Sequence, residues 1–110
     1  MSNDIIPLTM CSAVVTLDQY VPGWTLADFI GEKKPGPRRY EHYVHFNTPF
    51  SNIPLVHAGI AGFDIDNRDT GRLGLAVEDI TREGFKLVIR TWMHTRVYQV
   101  EVSWLAIGNA

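Results

Sequence analysis

Tyr98-Gln99-Val100-Glu101-Val102-Ser103-Trp104-Leu105-Ala106 is the stretch that decides the fold. Tyr98, Val100, Val102, Trp104 and Ala106 fall on one face, and Gln99, Glu101 and Ser103 on the other. That is the period of two of a half-buried β-strand. Just upstream, the strand from Phe85 separates Phe85, Leu87 and Ile89 from Lys86, Val88, Arg90 and Trp92. Residues 93–95 form the short loop that returns the chain. Residues 72–80 set Leu73, Leu75 and Val77 against Arg72, Gly74, Ala76 and Glu78. Thr81, Arg82, Glu83 and Gly84 make a four-residue hairpin link to the next strand.

Further outward, residues 55–65 form a longer strand in which Gly59 and Gly62 predict a bulge or a close backbone approach. Asp66, Asn67, Asp69, Thr70 and Gly71 then supply turn chemistry. Residues 40–46 alternate Tyr40, His42, Val44 and Phe46 with Glu41, Tyr43 and His45. Residues 10–17, bounded by Pro7 and Asp18, are rich in small and β-branched side chains and form the first strand. Between these two lie Pro22, Gly23, Gly31, Pro35, Gly36 and Pro37, which make residues 21–37 mostly loop, with room for one helical turn at 26–30. Six strands with short links and no long helix indicate an all-β antiparallel sandwich or small barrel.

The chain has 110 residues, the length of one domain, 1–110. Its 45% apolar and 20% charged residues place it among globular rather than disordered or disulfide-scaffold proteins. Ten basic against twelve acidic residues give a net charge of −2, so no positive field attracts nucleic acid or an anionic membrane. No apolar run is long enough to span a bilayer, and the amino terminus lacks the basic start of a signal peptide. The expected location is therefore the cytoplasm, or outside the cell after non-classical release. Cys11 stands alone and reads as a small buried hydrophobe. A sandwich of this size has limited stability by itself and leaves strand edges uncovered, which predicts self-association.

The residues carry no enzyme signature. No nucleophile, base and acid stand at diagnostic spacing, and no glycine-rich phosphate loop follows a strand. Asp64, Asp66, Asn67 and Asp69 lack the calcium-loop pattern and read as turn residues. The four histidines are dispersed, with His42 and His45 on opposite faces, so no metal site and no cofactor are expected. Lys33, Lys34, Arg38 and Arg39 read as a solvated basic loop.

Phe46, Pro49-Phe50, Pro54-Leu55-Val56, Asp64, Arg72, Ile80-Thr81, Gly84-Phe85, Thr91-Trp92, Thr95, Val97-Tyr98 and Ser103-Trp104-Leu105-Ala106-Ile107 together form a pattern. It resembles an H-type lectin domain, the family of the snail agglutinin and the C-terminal domain of the slime-mould discoidins, most firmly over residues 46–108. The resemblance implies a six-stranded antiparallel β-sandwich that assembles as a trimer or hexamer, without enzymatic activity. It also implies binding of terminal galactose or N-acetylgalactosamine between neighbouring subunits. The family's sugar-binding arginine, tryptophan and tyrosine fall on Arg72, Trp92 and Tyr98. A guanidinium donates to vicinal hydroxyls in fixed geometry, an aromatic face covers the apolar side of a pyranose, and a phenol both donates and accepts.

The pattern departs from the family in three places. Met93 follows Trp92 where the snail protein has histidine, and the histidine comes one place later, as His94, a fourth and shifted candidate. The family's first-loop aspartate aligns near Pro35, which leaves Asp28, Glu32 or a neighbouring subunit to supply a carboxylate acceptor. The family's disulfide cysteines have no counterpart. The first expectation is thus a multivalent lectin for neutral galactose-type glycans. The second is a structural or assembly protein that keeps the trimeric sandwich without binding sugar.

Overall fold

The computed structural model describes residues 7–66 and 70–110. The amino-terminal start, Asn67 and Asp69 lie outside the described residues. Among the described residues six strands follow one another: β1 (Leu8–Asp18), β2 (Arg38–His45), β3 (Leu55–Asp66), β4 (Gly74–Glu78), β5 (Gly84–Thr91) and β6 (Arg96–Asn109). They form two antiparallel three-stranded sheets of order β1-β6-β3 and β2-β5-β4. The architecture is a β-sandwich.

The two strands with the cleanest alternation are the centres of the two sheets. Phe85, Leu87 and Ile89 from β5 and Val100, Val102 and Ala106 from β6 are fully buried between them. Val88, on the outer face of β5, is buried as well. It sits between Glu41 and Ala76 in the register, where ion-paired side chains close over it. Arg39 bridges Glu41 and Glu78, both at 2.9 Å, and Lys86 joins Glu41 at 3.3 Å and Asp79 at 3.1 Å. Exposed pairs of this kind contribute little energy, but their stems cover apolar surface.

Two bulges set where side chains point. One lies between Ile60 and Gly62 of β3, as Gly62 predicts. The other places Asp64 opposite Gln99 but Ile65 opposite Val97, so Tyr98 is the extra residue. Val97 therefore enters the core beside Val100, with no exposure, which strict alternation from Tyr98 does not foresee.

The strand expected at 72–80 is shorter than its pattern. Arg72 precedes β4 because side chains, not a strand ladder, take its backbone groups: its carbonyl accepts from Thr91 Oγ1 at 2.6 Å and its amide donates to Thr95 Oγ1 at 3.1 Å. The expected helical turn at 26–30 is a single bonded turn, Asp28 N to Thr25 O at 3.1 Å. The same loop closes one end of the sandwich. Trp24 Nε1 donates to the Val97 carbonyl at 2.9 Å, Val97 N donates to the Leu26 carbonyl at 2.8 Å, and Trp24, Leu26 and Ala27 join the core. Towards the other end the core is aromatic: Phe85 meets Trp104 edge-on at 5.2 Å and Phe46 meets Phe50 at 5.0 Å.

Some large apolar side chains remain outside. Phe63 lies opposite Val100 on the inner side of edge strand β3, yet is 61% exposed. On the outer face of the β1-β6-β3 sheet, Met10, Ile107 and Leu55 form one row across three strands, with Leu8 and Val14 exposed alongside.

Candidate functional site

Three described segments meet at the end of the sandwich where β1 and β3 finish and β2 and β6 begin: residues 19–37, residues 70–73 and the turn 92–95. The turn carries Trp92 and His94. Met93 within it has φ 58°, a left-handed conformation that costs a residue with a side chain about 1 kcal/mol or more. Hydrogen bonds from both flanks hold the turn there.

On one flank is the first loop. The Met93 amide donates to the Pro35 carbonyl at 3.2 Å. Arg38 Nη1 donates to the carbonyls of Met93 at 3.0 Å and Gly36 at 3.1 Å, and Nη2 to the Thr95 carbonyl at 2.8 Å. His94 Nε2 donates to the Glu32 carbonyl at 2.6 Å, which fixes the proton on Nε2 and leaves Nδ1 open. On the other flank Thr95 Oγ1 donates to the Thr70 carbonyl at 2.9 Å while it accepts from the Arg72 amide. The buried Thr91 and Thr95 thus anchor the Arg72 segment beside the turn.

Of the residues the resemblance singled out, Arg72, Trp92 and His94 come together on this clamped unit. Arg72 Nη1 donates to the Thr70 carbonyl at 3.1 Å. Trp92 is 39% exposed and makes no hydrogen bond or ring contact among the described residues. His94 is exposed but turned to the first loop. Tyr98 is half-buried on β6 against the core, with the Arg96 guanidinium 5.5 Å from its ring centre. No hydrogen bond or ring contact joins Tyr98 to Trp92 among the described residues.

Beside the turn, a cavity of about 200 Å³ opens between the first loop and the start of β6. Asp28, Phe29, Arg38, Asp66, His94 and Arg96 contribute to its wall. Burial pulls the Arg38 guanidinium below its usual pKa, opposed in part by the charge of Asp28, and its Nε is buried without a hydrogen-bond partner among the described residues. Arg96 Nε donates to the Ala27 carbonyl at 2.7 Å.

Arg38 is the residue that the sequence reading misplaced. Grouped with Lys33, Lys34 and Arg39 as a solvated cluster, it instead points inward and ties the first loop to the turn, while Arg39 points outward to Glu41 and Glu78. A signal was present, since Arg38 shares the parity of Tyr40, His42 and Val44. Arg96 carried no such signal. Among the described residues no three His, Cys, Asp or Glu side chains are grouped to hold a metal ion, and no helix is long and apolar enough to cross a membrane.

Residues 41–107 match the model of a family described as the H-type lectin domain. A protein of Fuscovulum blasticum described as ATP synthase subunits region ORF 7 is 40% identical over 74 residues, covering 67% of this chain and 64% of that protein. Two structures of discoidin II from Dictyostelium discoideum, wild-type and recombinant, superpose with a TM-score of 0.74 at 24% identity. The match covers 94% of this chain and 38% of the discoidin II chain. The chain thus spans less than two thirds of either protein, and the structural likeness extends to the fold.

Proposed function

Because the chain belongs to the H-type lectin domain family, a family of carbohydrate-binding proteins, we propose that it binds terminal galactose or N-acetylgalactosamine through Arg72 and Trp92. The observation that carries this reading is the clamped unit itself, in which an arginine and a half-exposed tryptophan stand on segments bonded to each other through Thr91 and Thr95. Tyr98 and His94 are the secondary contacts. On this reading a neighbouring subunit of a homotrimer or hexamer completes the site; no hydrogen bond or ring contact joins Tyr98 to Trp92 among the described residues. The exposed Phe63, Met10 and Leu55 support such association, and the near-neutral charge suits a neutral sugar. The role is one of binding, without catalysis or a cofactor.

A glycan array with the purified protein, repeated with Arg72→Ala, tests this. Loss of a charge-assisted hydrogen-bond donor, about 1.5–3 kcal/mol, predicts roughly 10- to 100-fold weaker binding to galactose-type sugars. Binding that persists unchanged in the variant sinks the site, and light scattering that gives a stable monomer sinks the inter-subunit arrangement.

A second reading, a structural or assembly protein that keeps the sandwich without sugar binding, draws on Pro35. Its carbonyl accepts from the Met93 amide of the turn, and the family's first-loop aspartate aligns near this residue, whose side chain carries no carboxylate. A trimer that binds no glycan on the array favours this reading.

A further inference from the structure

The cavity beside the turn holds groups that the terminal-sugar reading leaves unused. The Asp28 carboxylate makes no hydrogen bond or ion pair among the described residues. Arg96 engages the Ala27 carbonyl through Nε, while its two Nη groups make no hydrogen bond among the described residues. Arg38 Nε is buried without a hydrogen-bond partner among the described residues. Phe29, 77% exposed, supplies an aromatic wall with Ile30 beside it.

These groups define a ligand class. Charges of both signs stand in its wall, Arg38 and Arg96 with Asp28 and Asp66, so the cavity offers both donors and acceptors to a ligand. A carboxylate acceptor, guanidinium donors and an apolar ring together match a polyhydroxylated ring with one apolar face. The volume of about 200 Å³ is below the roughly 300–1,000 Å³ of drug-sized sites and suits one monosaccharide unit. Position completes the case: Thr95 lines the cavity and its Oγ1 also accepts the Arg72 amide, so the cavity borders the segment that carries Arg72.

We propose that this cavity is a second sugar subsite, which takes the neutral residue preceding the terminal one in a glycan chain. Asp28 accepts its hydroxyls, Arg96 donates to them and Phe29 covers its apolar face. The proposal rests on the reading of Arg72 and Trp92 as the terminal site.

Titration calorimetry on the full chain tests it, with galactose and N-acetylgalactosamine compared with disaccharides that end in either sugar on a neutral or an acidic second residue. The variants are Asp28→Asn and Phe29→Ala, both at exposed side chains outside the core. The native protein should prefer the neutral disaccharides about tenfold, as expected for one or two added contacts. Each variant should lose most of that preference, and Phe29→Ala, at a residue outside the terminal site, should keep its monosaccharide affinity within about twofold. Variants that keep the preference, or that lose monosaccharide and disaccharide binding equally, overturn the subsite. Tighter binding of acidic than neutral second residues overturns its neutral assignment. A native protein that binds the monosaccharides without gaining from the second residue fails the subsite alone, whereas one that binds no galactose-type sugar fails the terminal-site reading as well.

Discussion

Replacing Arg38 with methionine keeps much of its aliphatic stem and removes the guanidinium that ties the first loop to the turn 92–95. Of its three carbonyl partners, Gly36 is two residues away and exposed, so its loss matters little. The bonds to Met93 at 3.0 Å and Thr95 at 2.8 Å are partly buried and span more than fifty residues of sequence. Hydrogen bonds to a charged group contribute about 1.5–3 kcal/mol each, so the two together set an upper bound of about 3–6 kcal/mol. Against this stand the desolvation that lowers the Arg38 pKa and a part of the roughly 2 kcal/mol of arginine side-chain entropy, since methionine still orders most of the stem. The net expectation is a loss of about 1–3 kcal/mol. In urea, with a slope of about 1–3 kcal/mol per molar, that moves the midpoint down by roughly 1 M at fixed protein concentration. Arg38→Lys should recover only part of it, since one ammonium cannot reproduce the planar fork between two carbonyls. A local readout accompanies the global one: the Met93 amide, bonded to Pro35, should exchange with deuterium faster in the variant. A midpoint within about 0.2 M of native, with Met93 exchange unchanged, would refute the clamp.

Three further outcomes follow from the packing. Trp24→Phe deletes the buried bond to the Val97 carbonyl and should lower stability by about 1–2 kcal/mol in urea unfolding; an unchanged midpoint removes the capping role given to the first loop. Gly84→Ala places a methyl group against the Val44 carbonyl and within 2.9 Å of the Tyr43 ring, and overpacking of about 1–3 kcal/mol should lower Tm by roughly 5–15 °C in a thermal melt. His42, half-buried on the inner face of β2, has its pKa pushed down by burial, so the unfolded chain takes up the proton first. Native stability should therefore be flat above about pH 6.5 and fall as the pH drops below it, and His42→Gln should show a smaller acid loss over the same window.

The sandwich was legible because β5 and, beyond Tyr98, β6 alternate regularly, and those are the strands with a neighbour on each side and a sheet across the inner face. Gly62 also announced its bulge. The bulge at Tyr98 had no glycine to mark it, so alternation placed Val97 outside the core. Residues 24–27 read as loop because of the breakers around them. Their burial depends on the open end of the sandwich they close, which is a tertiary fact. Arg72 looked like strand because Leu73, Leu75 and Val77 alternate, yet a pattern of faces does not reveal that Thr91 and Thr95 capture its backbone. Arg72, Trp92 and His94 entered through the family pattern, and only the fold shows that they share one clamped unit, with no hydrogen bond or ring contact from Tyr98 to Trp92 among the described residues. Arg38 and Arg39 are adjacent in sequence and opposite in role because a strand sends neighbours to opposite faces.

On the proposed reading, the clamp and the association of subunits answer the same physical difficulty. A hexose has about a dozen heavy atoms, and at roughly 0.3 kcal/mol per atom a shallow site gains about 4 kcal/mol, a Kd near millimolar. Little of that can be lost to ordering the protein at the moment of binding. The left-handed Met93 would relax if released, so the bonds from Pro35, Arg38, Glu32 and the Thr70–Thr95 pair keep Trp92 and Arg72 in place before a ligand arrives. The clamp lowers the cost of binding without adding a contact, and a second subsite adds about tenfold. Neither brings a millimolar site far below 100 micromolar. Several sites on one rigid assembly gain roughly 10²–10⁴ by effective concentration. Subunit association is therefore the larger determinant, and a variant that binds monosaccharide normally but is held monomeric should lose most of its grip on a glycan-coated surface.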